Sequence, residues 1–289
     1  MLRLAPQTPV RALDVGTGGF RTRLLDAGAA DAEALLLLHG GGLGVDAGTN
    51  WLGNIERFAA EFRCLAPDLV GFGATEHPVA PPVGAEAWVG LRARQCLDLL
   101  DELGLERAHL VGNSAGGGAV ALALLREAPE RVAGVVLLGG AGVGTGDGDR
   151  SVAPARALAF YDDPTPHAME RLLRRFSAAP DDLPLQQIAQ QRFETALRPE
   201  VRRSFEAMWA AGGEGIAIDE AELQAVDRPV LCLHGREDAL ADPERSRRLA
   251  SLLPRGDLCV LANAGHWLHL DRIDSFQAWV SAFLHPVDA

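Results

Sequence analysis

A serine hydroxyl becomes a useful nucleophile only when the backbone presents it and a base removes its proton. The stretch Gly112-Asn113-Ser114-Ala115-Gly116 offers such a presentation, entered through the apolar pair Leu110 and Val111 and left through an Ala/Leu-rich run over residues 119–126. This reads as strand, sharp turn and helix, with the serine at the apex. Small flanking residues keep a strained turn free of clashes, so the Ser114 hydroxyl projects above the sheet. The next backbone N–H, that of Ala115, points to where an oxyanion would form. Taken alone, the same five residues also suit a glycine-rich turn whose serine merely caps a helix. The partners decide.

The base needs a carboxylate to hold its tautomer, and in a parallel sheet both belong at the carboxyl ends of later strands, where loops converge. Two loops qualify. The apolar run 230–234 is followed by Gly235-Arg236-Glu237-Asp238, and the run 258–261 by Asn263-Ala264-Gly265-His266-Trp267. Asp238 is the expected acid and His266 the expected base. Glu237 and Asp242 flank the acid and read as solvated carboxylates. His234 reads as a packed core residue, and His269 as the start of the last helix or a solvent-facing side chain. A second oxyanion donor is expected from His39-Gly40-Gly41-Gly42, because a backbone without side chains can approach a ligand closely; Gly41 is the chosen donor.

Composition narrows the field. With 289 residues the chain can bury a full α/β core, and 48% hydrophobic with 23% charged residues is ordinary for a globular protein. A net charge of −12 argues against nucleic acid or an anionic membrane as partner. All 27 basic residues are arginine, so lysine Schiff-base chemistry is excluded. Cys64, Cys96, Cys232 and Cys259 show no C-x-x-C spacing, and the last two sit in strand-like runs as expected buried thiols. No cluster suggests a metal. No cofactor is expected either, since the triad supplies nucleophile and base. Without a signal-like or membrane-length apolar segment, a cytoplasmic protein is expected.

The elements that would position these residues follow from periodicity. Residues 10–26 alternate as two antiparallel strands joined at Gly16-Thr17-Gly18-Gly19. Further strands are expected over 34–38, 63–67, the elbow, 132–138, 228–234 and 257–261, with helices over 54–62, 86–103 and 273–284. This alternation predicts an α/β fold with a mostly parallel sheet of about eight strands between helices. Residues 144–227 break the rhythm with helical patterns only, over 153–161, 168–176, 185–197 and 202–211. They read as a helical lid inserted into a core formed by residues 1–143 and 228–289.

The order Ser114, Asp238, His266 is that of the α/β-hydrolases, and the whole chain resembles that fold. Within it, the chain is similar to the carbon–carbon bond hydrolases that cleave meta-ring-fission products of aromatic degradation. The resemblance is carried by His39-Gly40-Gly41-Gly42 with Asn50 and Asn54 downstream, by Asn113-Ser114 with Gly116-Gly117, by Gln191-Arg192-Phe193-Glu194 and by Ala264-Gly265-His266-Trp267. It implies a 2-hydroxy-6-oxo-hexa-2,4-dienoate substrate, ketonised first and then attacked at C6 by serine or serine-activated water. By the same resemblance Arg192 is the cation for the substrate's carboxylate end, Asn113 and Asn50 are amide donors, Trp267 is an aromatic wall and Phe176 lines the pocket. The departures are Leu43, where proline is usual, and Ala115, where a bulky methionine is common. They keep in view an ester, lactone or thioester hydrolase of the same fold acting in natural-product metabolism. A binding protein on this fold would have no need of all three triad groups. Homo-oligomers are common in the resembled family.

Overall fold

An unbroken apolar run such as Ala34–Leu38 needs cover on both faces, and the fold supplies it. The computed structural model describes residues 9–141, 157–210 and 219–285. Its centre is one eight-stranded sheet in the order β1-β2-β4-β3-β5-β6-β7-β8. The strands are β1 (Arg11–Thr17), β2 (Phe20–Ala27), β3 (Ala34–Leu38), β4 (Arg63–Pro67), β5 (Ala108–Asn113), β6 (Val132–Leu138), β7 (Val230–Gly235) and β8 (Gly256–Leu261). Only β2 runs against the rest. The β1–β2 hairpin turns at Gly18-Gly19, both at positive φ (53° and 88°), the backbone a tight two-residue hairpin requires.

Alternate residues of β3 enter different cores. Leu36 and Leu38 join Trp88, Leu99, Leu122 and Leu249, from helices Ala85–Glu102, Ala119–Glu127 and Pro243–Leu252. Leu35 and Leu37 join Phe58, Phe276 and Val280, from helices Asn54–Phe58 and Ile273–Leu284. Each such leucine contributes about 1.5–3 kcal/mol by leaving water. The chain steps from β3 outward to β4 and then returns to the other side of β3 as β5. Such a reversal of strand order brings the loop after β3 beside the loop after β5 at the carboxyl ends of the strands, the place where open α/β sheets bind ligands.

Between β6 and β7 the described residues contain helices and no strand: Pro166–Leu173, Leu185–Ala196, Pro199–Trp209 and Glu220–Gln224. Pro166 and Pro199 open their helices at the first turn, where a missing N–H costs nothing. The segment packs onto the core through Gly84 N–H, which donates to Ala207 O (3.1 Å), and through His77 Nδ1 with Ser204 Oγ (2.8 Å). Of the helix expected over 153–161, the part to residue 156 lies outside the described residues; Ala159–Asp162 is a single 3-10 turn. The helix expected over 54–62 stops at Phe58, because Ala59–Phe62 close into turns that feed β4. A four-residue helix, Ala47–Asn50, was not anticipated; Asp46 caps it by accepting from Thr49 N–H. Cys259 is only half-buried, contrary to expectation, because β8 is the last strand of the sheet. Among the described residues no helix is long and apolar enough to cross a membrane.

Candidate active site

β5 delivers the serine. Ser114 has φ 55°, a left-handed conformation that a residue with a side chain adopts only under constraint. Residues Ser114–Gly118 form a π-type turn that runs into helix Ala119–Glu127. The constraint is close backbone packing, which glycine alone permits here. A Cβ on Gly112 would stand 2.6 Å from Gly117 O, and one on Gly116 would meet the carbonyl carbon of Gly40 and the nitrogen of Gly41. The glycine loop after β3 is thereby seated directly on the elbow.

The three expected groups meet. Ser114 Oγ lies 2.8 Å from His266 Nε2, and His266 Nδ1 lies 2.7 Å from Asp238 Oδ2. A carboxylate only accepts, so Nδ1 carries the proton and Nε2 is left to receive one from the serine. Asp238 Oδ1 accepts from the N–H groups of Leu240 (2.7 Å) and Ala241 (3.0 Å), and its side chain is fully buried. Burial by itself would raise its pKa; the His266 charge, the bonds from His234 and His266 and the Leu240 N–H outweigh it, holding the carboxyl well below the usual range.

The rivals are occupied elsewhere. Glu237 accepts from Ala264 N–H (3.1 Å), and Asp242 caps helix Pro243–Leu252 through Glu244 N–H (2.9 Å). The expectation for His269 is wrong: it sits in the short helix Leu268–Asp271, fully buried, and donates from Nε2 to Asn50 O (2.9 Å). The helix dips beneath the Asn50 turn, which excludes solvent.

His39 precedes the glycine loop as a neutral ring. Its Nδ1–H donates to Gly40 O (2.8 Å) and its Nε2 accepts from Leu69 N–H (2.9 Å). Burial pushes its pKa down to about 4. A Cβ on Gly41 would sit 3.6 Å from Gly116 N, so the candidate donor lies against the elbow. Asn50 Oδ1 accepts from Gly40 N–H (3.1 Å) and from Asn113 Nδ2 (2.9 Å). That leaves Asn50 Nδ2, a donor, and Asn113 Oδ1, an acceptor, buried without partners.

Arg192, on helix Leu185–Ala196, is 1% exposed, and its Nε and Nη2 have no hydrogen-bond partner. Its guanidinium carbon lies 5.1 Å from the Trp267 ring centroid, and a Cβ on Gly42 would be 3.3 Å from its Nη1. Burial lowers its pKa to about 10, against the opposing charge of Asp46, so it remains a cation at neutral pH. Phe176 joins the set: its ring centroid lies 5.6 Å from that of His266 and 5.0 Å from that of Trp267, and its carbonyl accepts from Trp267 N–H (2.7 Å).

The sequence reading missed Asp271 altogether, and it read His234 as a packed core residue, which its full burial bears out, without its contact to the acid. Asp271 accepts from Ser177 Oγ (2.5 Å), Ala178 N–H (2.9 Å) and Gly265 N–H (2.7 Å), tying the helical segment to the histidine loop. His234 donates from Nε2 toward Asp238 Oδ2 (3.1 Å). Asp271 carried no local signal; His234 did, as a histidine four residues before the acid.

Comparison with known proteins agrees with this geometry. A family model described as "alpha/beta hydrolase fold" matches residues 33–273. The 2-hydroxymuconate semialdehyde hydrolase of Pseudomonas sp. strain CF600 is 35% identical over 99% of this chain and 98% of its own. The 2-hydroxy-6-oxo-2,4-heptadienoate hydrolase of Pseudomonas putida is 33% identical over 94% of this chain and 95% of its own. The solved structure of the 2-hydroxy-6-oxo-6-phenylhexa-2,4-dienoate hydrolase from Rhodococcus sp. strain RHA1 superposes with a TM-score of 0.90 at 37% identity, covering 96% of this chain and 99% of that one. With likeness of sequence and structure running almost end to end, the chain belongs to the α/β-hydrolase fold family and, within it, to the meta-cleavage product hydrolases.

Proposed function

We propose that the chain hydrolyses the carbon–carbon bond between C5 and C6 of a 2-hydroxy-6-oxo-hexa-2,4-dienoate, with Ser114, His266 and Asp238 as triad. The observation that carries this reading is Arg192: a buried cation with two unpartnered nitrogens, stacked on the tryptophan that follows the base. Burying a charge without a partner is costly, and a hydrolase of simple esters has no use for one. A dienoate carries a carboxylate remote from the scissile bond, and a bidentate guanidinium matches it. The buried donor Asn50 Nδ2 and acceptor Asn113 Oδ1 suit an oxygen that alternates between hydroxyl and ketone at C2.

In this mechanism the dienol is first ketonised, its 2-hydroxyl proton passing to C5, and negative charge gathering at the carboxylate end is met by Arg192 and the Asn50 Nδ2 donor. His266 then takes the Ser114 proton, and Oγ attacks the C6 ketone. The oxyanion receives the N–H groups of Ala115 and Gly41. As the tetrahedral centre collapses, the C5–C6 bond breaks, its electron pair passes into the extended enolate, and with the proton given up by His266 taken at its C2 oxygen that fragment leaves as 2-hydroxypenta-2,4-dienoate. Water, deprotonated by His266, then hydrolyses the acyl-serine, releasing the C6 fragment as a carboxylic acid and returning the proton to Ser114 Oγ. Residues 144–227 act as a lid over the core formed by 1–143 and 228–289, with Trp267 and Phe176 as pocket wall.

The test is Arg192→Gln on two substrates. Loss of a partner for a buried carboxylate costs about 2–5 kcal/mol, so dienoate turnover should fall roughly 30-fold to several thousand-fold. Hydrolysis of an uncharged aryl ester by the same variant should change little. Equal losses on both substrates, or none on either, would contradict the assignment.

A further inference from the structure

We propose that His234 is a positioning residue of the reaction: a second imidazole that shares Asp238 Oδ2 with His266 and thereby restrains the basicity of the catalytic ring. The inference rests on the triad reading above. His234 Nε2 lies 3.1 Å from Asp238 Oδ2 and 3.1 Å from Ala241 O. Both neighbours only accept, so Nε2 carries a proton whatever the charge of the ring. On the other side, Nδ1 lies 2.7 Å from Ser246 Oγ, a hydroxyl that can donate to a neutral ring or accept from a charged one. The single Nε2–H is therefore a fixed donor, shared between Asp238 Oδ2 and Ala241 O. The side chain is fully buried, so water does not compete for it.

The surroundings bear on the electrostatics. Asp238 faces the ring from the loop after β7, and His266, from the loop after β8, meets the same carboxylate oxygen. From helix Pro243–Leu252, Arg245 runs past Gly140: a Cβ there would be 3.3 Å from Arg245 Cβ and 3.8 Å from His234 Cε1. Asp242 is committed to capping that helix and Glu237 to Ala264 N–H. Asp238 thus has four donors, two on each oxygen. The Leu240 and Ala241 N–H groups hold one oxygen, and the two histidines divide the other. Each donor draws charge from the carboxylate, and what His234 takes is not available to stabilise a protonated His266. Removing His234 concentrates that charge on His266, makes it more basic and keeps it protonated, hence inactive as a base, to higher pH. It also frees the carboxylate to rotate about the two remaining amide bonds.

The experiment follows the rate at which a fluorophosphonate labels Ser114, from about pH 5 to about pH 9, in the parent enzyme, His234→Phe and His234→Gln. The expected result for His234→Phe is an acid limb displaced upward by about half a pH unit, with a plateau about ten-fold lower. His234→Gln, whose amide can donate from the place of Nε2, should restore the parent limb. A His234→Phe limb that overlays the parent's, however low its plateau, overturns the proposal, as does a His234→Gln limb displaced as far as that of His234→Phe. Failure of the parent enzyme to label at any pH would instead overturn the triad reading. Should His234→Phe not fold, ring-¹⁵N spectra of the parent enzyme decide: His234 is expected to keep its proton on Nε2 throughout, and a deprotonated Nε2 refutes the idea.

Discussion

Through His39, acid should lower the stability of the whole fold before it reaches the ordinary carboxylates. His39 uses both ring nitrogens in its neutral form, donating from Nδ1 to Gly40 O and accepting at Nε2 from Leu69 N–H. A second proton would land on Nε2, facing a donor in a site with no solvent exposure. Burial, aided by Arg92 and Arg192 and opposed by the Gly40 bond and Asp46, takes the pKa down to about 4. The folded value is thus below the unfolded one of about 6.5, and between the two it is the unfolded chain that binds the extra proton. The stabilisation is therefore complete above pH 6.5 and is lost as pH falls toward 4. A difference of about 2.5 units amounts to on the order of 3 kcal/mol once pH is below 4, of which about 2 kcal/mol is gone by pH 5. His269, pushed to about 3 by burial, acts in the same direction, whereas Asp68, raised to about 6 by burial, acts oppositely between about 3.8 and 6. Comparing the parent with His39→Asn removes those shared contributions. Urea unfolding at pH 7 and pH 5 should show the parent losing about 2 kcal/mol more than the variant over that interval. Parallel losses in the two proteins would refute the argument.

Other outcomes are expected at the contacts that bind the loops together. Gly116→Ala should drive the loop after β3 off the elbow, because its methyl would meet the backbone of Gly40 and Gly41; kcat/KM should fall on the order of a hundred-fold, the scale of a lost oxyanion donor. Asp271→Ala removes an acceptor from Ser177, Ala178 and Gly265, and the midpoint of urea unfolding should drop by the equivalent of about 2 kcal/mol. Slower fluorophosphonate labelling of Ser114 should accompany it, since the same bonds hold the turn that carries His266.

Local pattern sufficed for everything that depends on neighbours along the chain. The run of four leucines ending at Leu38 had to be a doubly covered strand, and helix Ile273–Leu284 begins and ends where its periodicity does. The glycines around Ser114 announced a turn that only small residues can make. Choosing Asp238 over Glu237 and Asp242 was possible from turn spacing, but the reason is tertiary: the two rivals are bound to Ala264 N–H and Glu244 N–H. His269 shows where pattern reading stops, for nothing adjacent in sequence reveals that Asn50 O would lie over it and make it core.

By itself the sequence determined the strand order of the chemistry and the types of group involved, because apolar period and turn glycines act over a few residues. What only the tertiary structure decided is which nitrogen holds which proton and which buried donors remain unpaired. Ser114 and His266 are 152 positions apart, Asp238 is shared by two imidazoles, and Arg192 lies over Trp267. Those relations exist only once the sheet has reversed at β3 and β5 and the helical segment has packed against the loops, since charge, tautomer and desolvation depend on distance in space.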